Sequence, residues 1–225
     1  MNRKTTAYLA SVASTGMSLI WPNRKVWTAA DIPDRPHFEA EGFELLQRRV
    51  RDARVYLEYG AGGSTILAAQ LGAKEIHTVE SDKSFLEAVR QRVTESRPDA
   101  RIFPYYVDIG PTKRWGMPTD PTCATRWPQY CLAPWQGLLA AGSQPDLVLV
   151  DGRFRVACFL ASMMFAGPGA VVLFDDYFNR ENYHLVEKHF APTSRAGRMA
   201  EFIVPADLDH RSVMLSLLPS LTDPA

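Results

Sequence analysis

Apolar residues along this chain fall into two alternating rhythms. Short runs rich in β-branched and aromatic residues, at 55–59, 75–79, 101–107, 146–150 and 169–174, predict five strands. Between them the spacing turns helical. Residues 83–93 place Phe85, Leu86, Val89 and Val93 on one face, and 154–165 has a helix's length and apolar content. Ahead of the first strand, Phe38, Phe43, Leu45, Leu46 and Val50 alternate with charged residues, which predicts an amphipathic helix over 37–50. Val/Leu/Ile strands alternating with helices imply a parallel sheet covered on both faces. The tail breaks the pattern: a helix at 182–190, then strands at 200–204 and 212–218. Only residues 205–211 separate those two strands, too few to cross to a parallel neighbour, so the sheet is expected to close in an antiparallel hairpin.

Residues 1–21 carry Arg3 and Lys4 before a moderately apolar stretch, with many Ser and Thr and no small-x-small cleavage site. They read as a helix packed on the core or on a second subunit rather than as an export signal. Pro22, Pro33 and Pro36 mark a linker, which divides the chain into an extension, 1–40, and one domain, 41–225. At 225 residues the chain supports one sizeable core.

Composition removes several function classes. Lys plus Arg (25) equals Asp plus Glu (25), so there is no net basic charge to favour nucleic acid or an anionic membrane surface. Cys123, Cys131 and Cys158 have no metal-type spacing, and no apolar run approaches a membrane span. A cytoplasmic setting is the simplest expectation.

The candidate chemistry starts where the first strand breaks into Gly60-Ala61-Gly62-Gly63-Ser64-Thr65. A strand that stops at glycines and feeds a helix, which Ser64 or Thr65 can cap, presents free N–H groups and a positive dipole end to a ligand. The third glycine of the dinucleotide fingerprint is absent, which disfavours a dehydrogenase. The second strand ends at Glu80, followed by Ser81 and Asp82, and an acid there is placed to bind a ribose diol. Every predicted strand ends in glycine or acid: Gly60, Glu80, Asp108, Asp151, and the pair Asp175-Asp176. Ligands of parallel sheets lie beyond those ends.

On Glu58-x-Gly60-x-Gly62, Glu80, Asp108 and the closing hairpin, residues 54–218 resemble the class I S-adenosylmethionine-dependent methyltransferases. The resemblance implies a Rossmann-like α/β sandwich: a seven-stranded, mostly parallel sheet with an antiparallel C-terminal hairpin and helices on both faces. It also implies a cofactor site for S-adenosyl-L-methionine. Gly60, Ala61, Gly62 and Gly63 would wrap the methionine part, with Ser64 or Thr65 near its carboxylate. Glu80 would hold the ribose hydroxyls beside Ser81, and Asp108 would face the adenine beside Ile109. Glu58 would buttress the loop or counter the cofactor's positive charges, and Asp151 would close the site.

Asp151, Asp175 and Asp176 are similar to the acids of metal-dependent catechol-type and caffeoyl-coenzyme-A-type O-methyltransferases, with Asp176 where that family has Asn. Hard oxygen ligands of this kind suit Mg²⁺, Mn²⁺ or Ca²⁺. The family's lysine base is missing, because the segment reads Asp151-Gly152-Arg153-Phe154-Arg155 and arginine stays protonated. Arg153 and Arg155 could grip a substrate carboxylate or phosphate, or pair with Asp175 or Asp176. The catalytic set is therefore Asp151, Asp175, Asp176 and Arg155, either around a metal or on a metal-free edge where one aspartate is the base.

Residues 110–137 hold Trp115, Trp127, Tyr130 and Trp135 among five prolines. Such a stretch is a lid, a loop stapled by its own aromatics, or a contact between two copies in a homodimer. Lys113, Arg114 and Arg126 would make a lid that favours an anionic small molecule. His77, His184 and His189 read as structural, and Tyr177 and Tyr183 lie near the acids as outside candidates. The resulting expectation is methyl transfer to a small molecule, at oxygen. The alternative is a methyltransferase-like module that binds a nucleotide-type ligand without transferring methyl groups.

Overall fold

A computed structural model describes residues 25–225, so the helix expected over 1–21 lies outside the described residues. Seven strands form one sheet: β1 (Val55–Tyr59), β2 (Glu75–Glu80), β3 (Arg101–Tyr106), β4 (Leu147–Val150), β5 (Val171–Phe174), β6 (Ser194–Ala196) and β7 (Met199–Ile203). Their spatial order is β3-β2-β1-β4-β5-β7-β6. The five expected strands are parallel, with Leu57 beside His77 and Val148, while β7 runs antiparallel to β5 and β6 antiparallel to β7. The order reverses between β1 and β4, which opens a crevice at their carboxyl ends.

Period-two alternation divides the core into two layers. Leu57, Tyr59, Val148, Val150, Val172 and Phe174 point to one face. That face lies under α4 (Pro128–Ala141), α5 (Arg155–Phe165) and α6 (His210–Ser220). Tyr56, Ile76, Leu149 and Leu173 point to the other, under α1 (Ala40–Asp52), α2 (Gly63–Leu71) and α3 (Lys83–Ser96). α1, α2, α3 and α5 begin within a few residues of their expected starts, whereas α4 lies in the segment expected as a lid, loop or dimer contact and α6 lies where a strand was expected. No helix among the described residues is long and apolar enough to cross a membrane.

The tail departs from expectation. Residues 212–218 form part of α6 rather than a strand, because the Asp209 carboxylate accepts from the Ser212 N–H (3.1 Å) and caps the helix. Val213 and Leu217, four apart, are buried while Met214, Leu215 and Leu218 are exposed, so the period there is helical. The hairpin exists one step earlier. It joins β6 to β7 through Gly197-Arg198, where Gly197 takes φ 59° at the first turn position. The helix expected over 182–190 is a 3-10 helix over Glu181–Lys188, and its buried residues Tyr183 and Val186 are three apart.

The long segment after β3 divides in two. Thr112 bridges to Pro118 and two 3-10 turns follow, Arg114–Gly116 and Pro121–Arg126. From Trp127 onward its aromatics belong to the core. The Trp127 indole donates to the Ile109 carbonyl (2.8 Å) and the Trp135 indole to the Tyr59 hydroxyl (2.7 Å). Truncating Trp135 would cost about 3–5 kcal/mol. Only the part before Trp127 can act as a lid.

Candidate functional site

The glycine turn is built from underneath. Gly60 takes φ 93°, and a Cβ there would lie 3.0 Å from the Gly152 backbone, so the β1 and β4 loops touch glycine to glycine. Glu58, on the buried face of β1, holds the turn in place. Its Oε2 accepts from the Tyr56 hydroxyl (3.0 Å) and the Ser64 hydroxyl (2.6 Å), and its Oε1 accepts from Thr65. The Thr65 Oγ1 in turn accepts from the Gly62 N–H (2.9 Å). Burial lifts the Glu58 carboxyl from 4.5 to about 7, against the opposing pull of these hydroxyls. Ser64 and Thr65 thus turn their side chains inward. The N–H groups of Ala61, Gly63 and Ser64 have no protein acceptor among the described residues and remain for a ligand.

Glu80 closes β2 half-buried, and burial raises its pKa. One oxygen, Oε1, accepts from the Ser81 N–H (2.6 Å), the Asp82 N–H (2.9 Å) and the Ser81 hydroxyl (3.1 Å). Oε2 has no partner among the described residues and is free to accept a diol. Asp108 is exposed, accepts from the Gly110 N–H (2.9 Å) and pairs with Arg126, while Ile109 is fully buried.

At the ends of β4 and β5 the three aspartates do converge, on arginines. Arg155 is 4% exposed. It reaches Asp151 Oδ1 at 2.9 Å, Asp176 Oδ2 at 3.2 Å and the Asp175 carbonyl at 2.8 Å. Arg198, from the β6–β7 turn, binds both oxygens of Asp175 (3.1 and 3.0 Å) and Asp176 Oδ1 (2.9 Å). Arg180 adds a contact to Asp176 Oδ2 (2.9 Å). Of the six carboxylate oxygens only Asp151 Oδ2 is left without a partner among the described residues. Burial, opposed by Arg155 and aided by the charges of Asp175 and Asp176, lifts Asp151 from 3.8 to about 7. Among the described residues three non-glycines have left-handed φ: Trp115 (64°), Phe154 (54°) and Asp176 (60°). They follow β3, β4 and β5 in turn, so the strained backbone gathers on this one edge.

Comparison with known proteins bears on the fold and the family. No protein-family model and no curated protein matches the sequence. Among solved structures, a methyltransferase-like protein of Silicibacter pomeroyi is 34% identical, over 85% of this chain and 100% of its own, with a TM-score of 0.75. The chain belongs to the class I methyltransferase family. An O-methyltransferase of Bacillus cereus, in complex with SAH, shares the fold at 16% identity, covering 78% of this chain and 86% of its own, with a TM-score of 0.52.

In this methyltransferase the expected Mg²⁺, Mn²⁺ or Ca²⁺ site at Asp151, Asp175 and Asp176 is not supported. Five of the six oxygens already lie in ion-pair contact with guanidinium groups, and no group of three or more His, Cys, Asp or Glu among the described residues could hold a metal ion. A divalent cation would have to displace Arg155, a buried cation with hydrogen bonds to four residues. Arg198 was missed in the sequence because its place depends on strand pairing: Phe174 lies opposite Ala200, which carries the β6–β7 turn to the end of β5. The short strand β6, three residues long, gave no pattern from which to read that turn.

Proposed function

We propose that this methyltransferase moves the methyl group of S-adenosylmethionine to an oxygen of a small-molecule acceptor, with Asp151 as general base and with Arg155 in the position a metal would otherwise take. The reading rests most heavily on Asp151: one carboxylate oxygen free, the other fixed by Arg155, and a pKa lifted to about 7. Family membership and the partnerless groups of the glycine turn and Glu80 support the cofactor. The residues fit it: N–H groups of Ala61, Gly63 and Ser64 for a carboxylate, and Glu80 Oε2 for a ribose diol. When bound, S-adenosylmethionine supplies an electrophilic methyl group on a positively charged sulfur. Asp151 Oδ2 takes the proton of the acceptor hydroxyl, and the oxygen so exposed accepts the methyl carbon as its bond to sulfur breaks. Arg155 keeps the carboxylate oriented and offsets the negative charge of three aspartates on one edge.

The loop before Trp127 serves as a lid in this reading. A Cβ on Gly116 would lie 3.4 Å from the Ser81 hydroxyl, so the loop lies across the edge beside the ribose position. Surface clefts of about 420 and 660 Å³ lie elsewhere, by Arg35 and Phe43 and by Lys74 and Arg101. In this reading the loop closes over bound ligands and lifts to admit them.

The test is methyl transfer by Asp151→Asn, screened against phenols and hydroxy acids. A fall of about 100-fold or more in kcat, in a protein with an unchanged urea midpoint, is expected for loss of a general base. Unchanged turnover would remove Asp151 from the mechanism.

A further inference from the structure

One buried cation on this edge has no counter-ion. Arg155, Arg180 and Arg198 are each paired with aspartates, but Arg153, 8% exposed, pairs with no acid among the described residues. Its guanidinium also makes no hydrogen bond to protein there. Its backbone is fixed: the N–H donates to the Tyr130 hydroxyl (3.4 Å) and the carbonyl accepts from the Cys158 thiol (3.3 Å). The side chain lies under the lid, with its Cγ 3.7 Å from where a Gly116 Cβ would be. Arg155 and Arg180 are close enough to press on its charge, and burial together with these like charges pulls its pKa down. An arginine held this way stays protonated, so the local field calls for an anion.

A second group points to the same place. Tyr183 is fully buried, its ring near the guanidinium groups of Arg155 (5.9 Å) and Arg180 (5.7 Å). Its hydroxyl makes no hydrogen bond, although a buried hydroxyl left unpaired costs about 1–3 kcal/mol. Tyr183 is also among the groups acting on the Arg153 charge. A cation with no protein partner and a buried hydroxyl with none, both beyond the ends of β4 and β5, are what an oxyanion would satisfy together. On the lid above, Lys113 and Arg114 flank the approach and Trp115 is 69% exposed.

We propose that Arg153 and Tyr183 anchor an oxyanion group of the methyl acceptor, so that the substrate is a small molecule bearing a carboxylate or a phosphate as well as the reacting hydroxyl. The claim that the anion belongs to a methyl acceptor rests on the methyl-transfer reading; the anion site does not. Asp151 then receives the hydroxyl of a molecule whose charged end is already fixed, and a neutral analogue lacks that anchor.

The test is calorimetric titration of the full chain with sodium benzoate and, separately, inorganic phosphate, each with and without saturating S-adenosylhomocysteine. Arg153→Gln and Tyr183→Phe are measured alongside. The wild type should bind one probe under both conditions, and which one it binds tells carboxylate from phosphate. Arg153→Gln should weaken that probe about tenfold or more, and Tyr183→Phe several-fold, with binding of S-adenosylhomocysteine kept. Tyr183→Phe removes a single oxygen, so it keeps the test valid if Arg153→Gln misfolds. The proposal is overturned if neither probe binds, if both variants bind as the wild type does, or if S-adenosylhomocysteine expels the probe, because Arg153 would then serve the cofactor carboxylate. Probe binding lost in Arg153→Gln by a chain that never binds S-adenosylhomocysteine would keep the anion site and remove the methyl-transfer reading.

Discussion

Glu58 makes stability depend on pH in a direction opposite to that of most carboxylates. It is fully buried and held by three hydroxyls with no cation, and its pKa rises from 4.5 to about 7 on folding. Between those two values the unfolded chain has lost the proton and the folded chain keeps it. Unfolding then releases a proton, so stability is highest below 4.5 and falls as pH rises through about 7. At about 1.4 kcal/mol per pH unit the whole window is worth about 3 kcal/mol, most of which lies between pH 5 and pH 8. Glu58→Gln keeps the shape and cannot ionise. Urea unfolding of wild type and variant at pH 5, 6, 7 and 8 isolates the effect, because every other titrating group, Asp151 included, is common to both. The variant should gain about 2–3 kcal/mol on the wild type from the lowest to the highest pH. A difference that stays constant within about 0.5 kcal/mol would show that Glu58 is charged in the folded protein, and the account of the glycine turn would fail.

Two further outcomes follow from the arginine cluster. Arg155→Met leaves Asp151 and Asp176 on a buried edge without their shared cation and should destabilise the fold by about 3–5 kcal/mol, read from urea midpoints; an effect under about 1 kcal/mol would show that Arg155 does not bind the edge together. Because Asp151 must be deprotonated to act as a base and its pKa is lifted to about 7, kcat should rise with pH up to about 7 and then level off; a flat profile from pH 5 to 8 would exclude an aspartate base at that position.

The parallel half of the sheet was legible because each strand's apolar run is bounded by a turn or an acid, and the pattern is local. Glu58, Gly60 and Glu80 could be placed for the same reason: each sits at or beside a strand end. The tail was not legible, because Ser-Val-Met-Leu-Ser-Leu-Leu at 212–218 reads equally well as a strand or as a helix with Val213 and Leu217 inward. Only the Asp209 cap and the packing on α5 decide it. The aromatics of 127–135 could have lined a lid, and only tertiary hydrogen bonds to Ile109 and Tyr59 fix them in the core. The metal expectation failed for a long-range reason. Three acids read as a ligand set until Arg198 arrives from a hairpin and Arg155 points back from the first turn of α5. Nor does sequence tell Arg155, with its aspartate partners, from Arg153, two residues earlier and without one.

The most direct test of the central claim is calorimetric titration of the full chain with S-adenosylhomocysteine, repeated on Glu80→Ala. The account predicts a Kd in the micromolar range for the wild type and binding weaker by about tenfold or more in the variant, from loss of hydrogen bonds to a charged acceptor. A folded wild type that does not bind, or a variant that binds equally well, would contradict it.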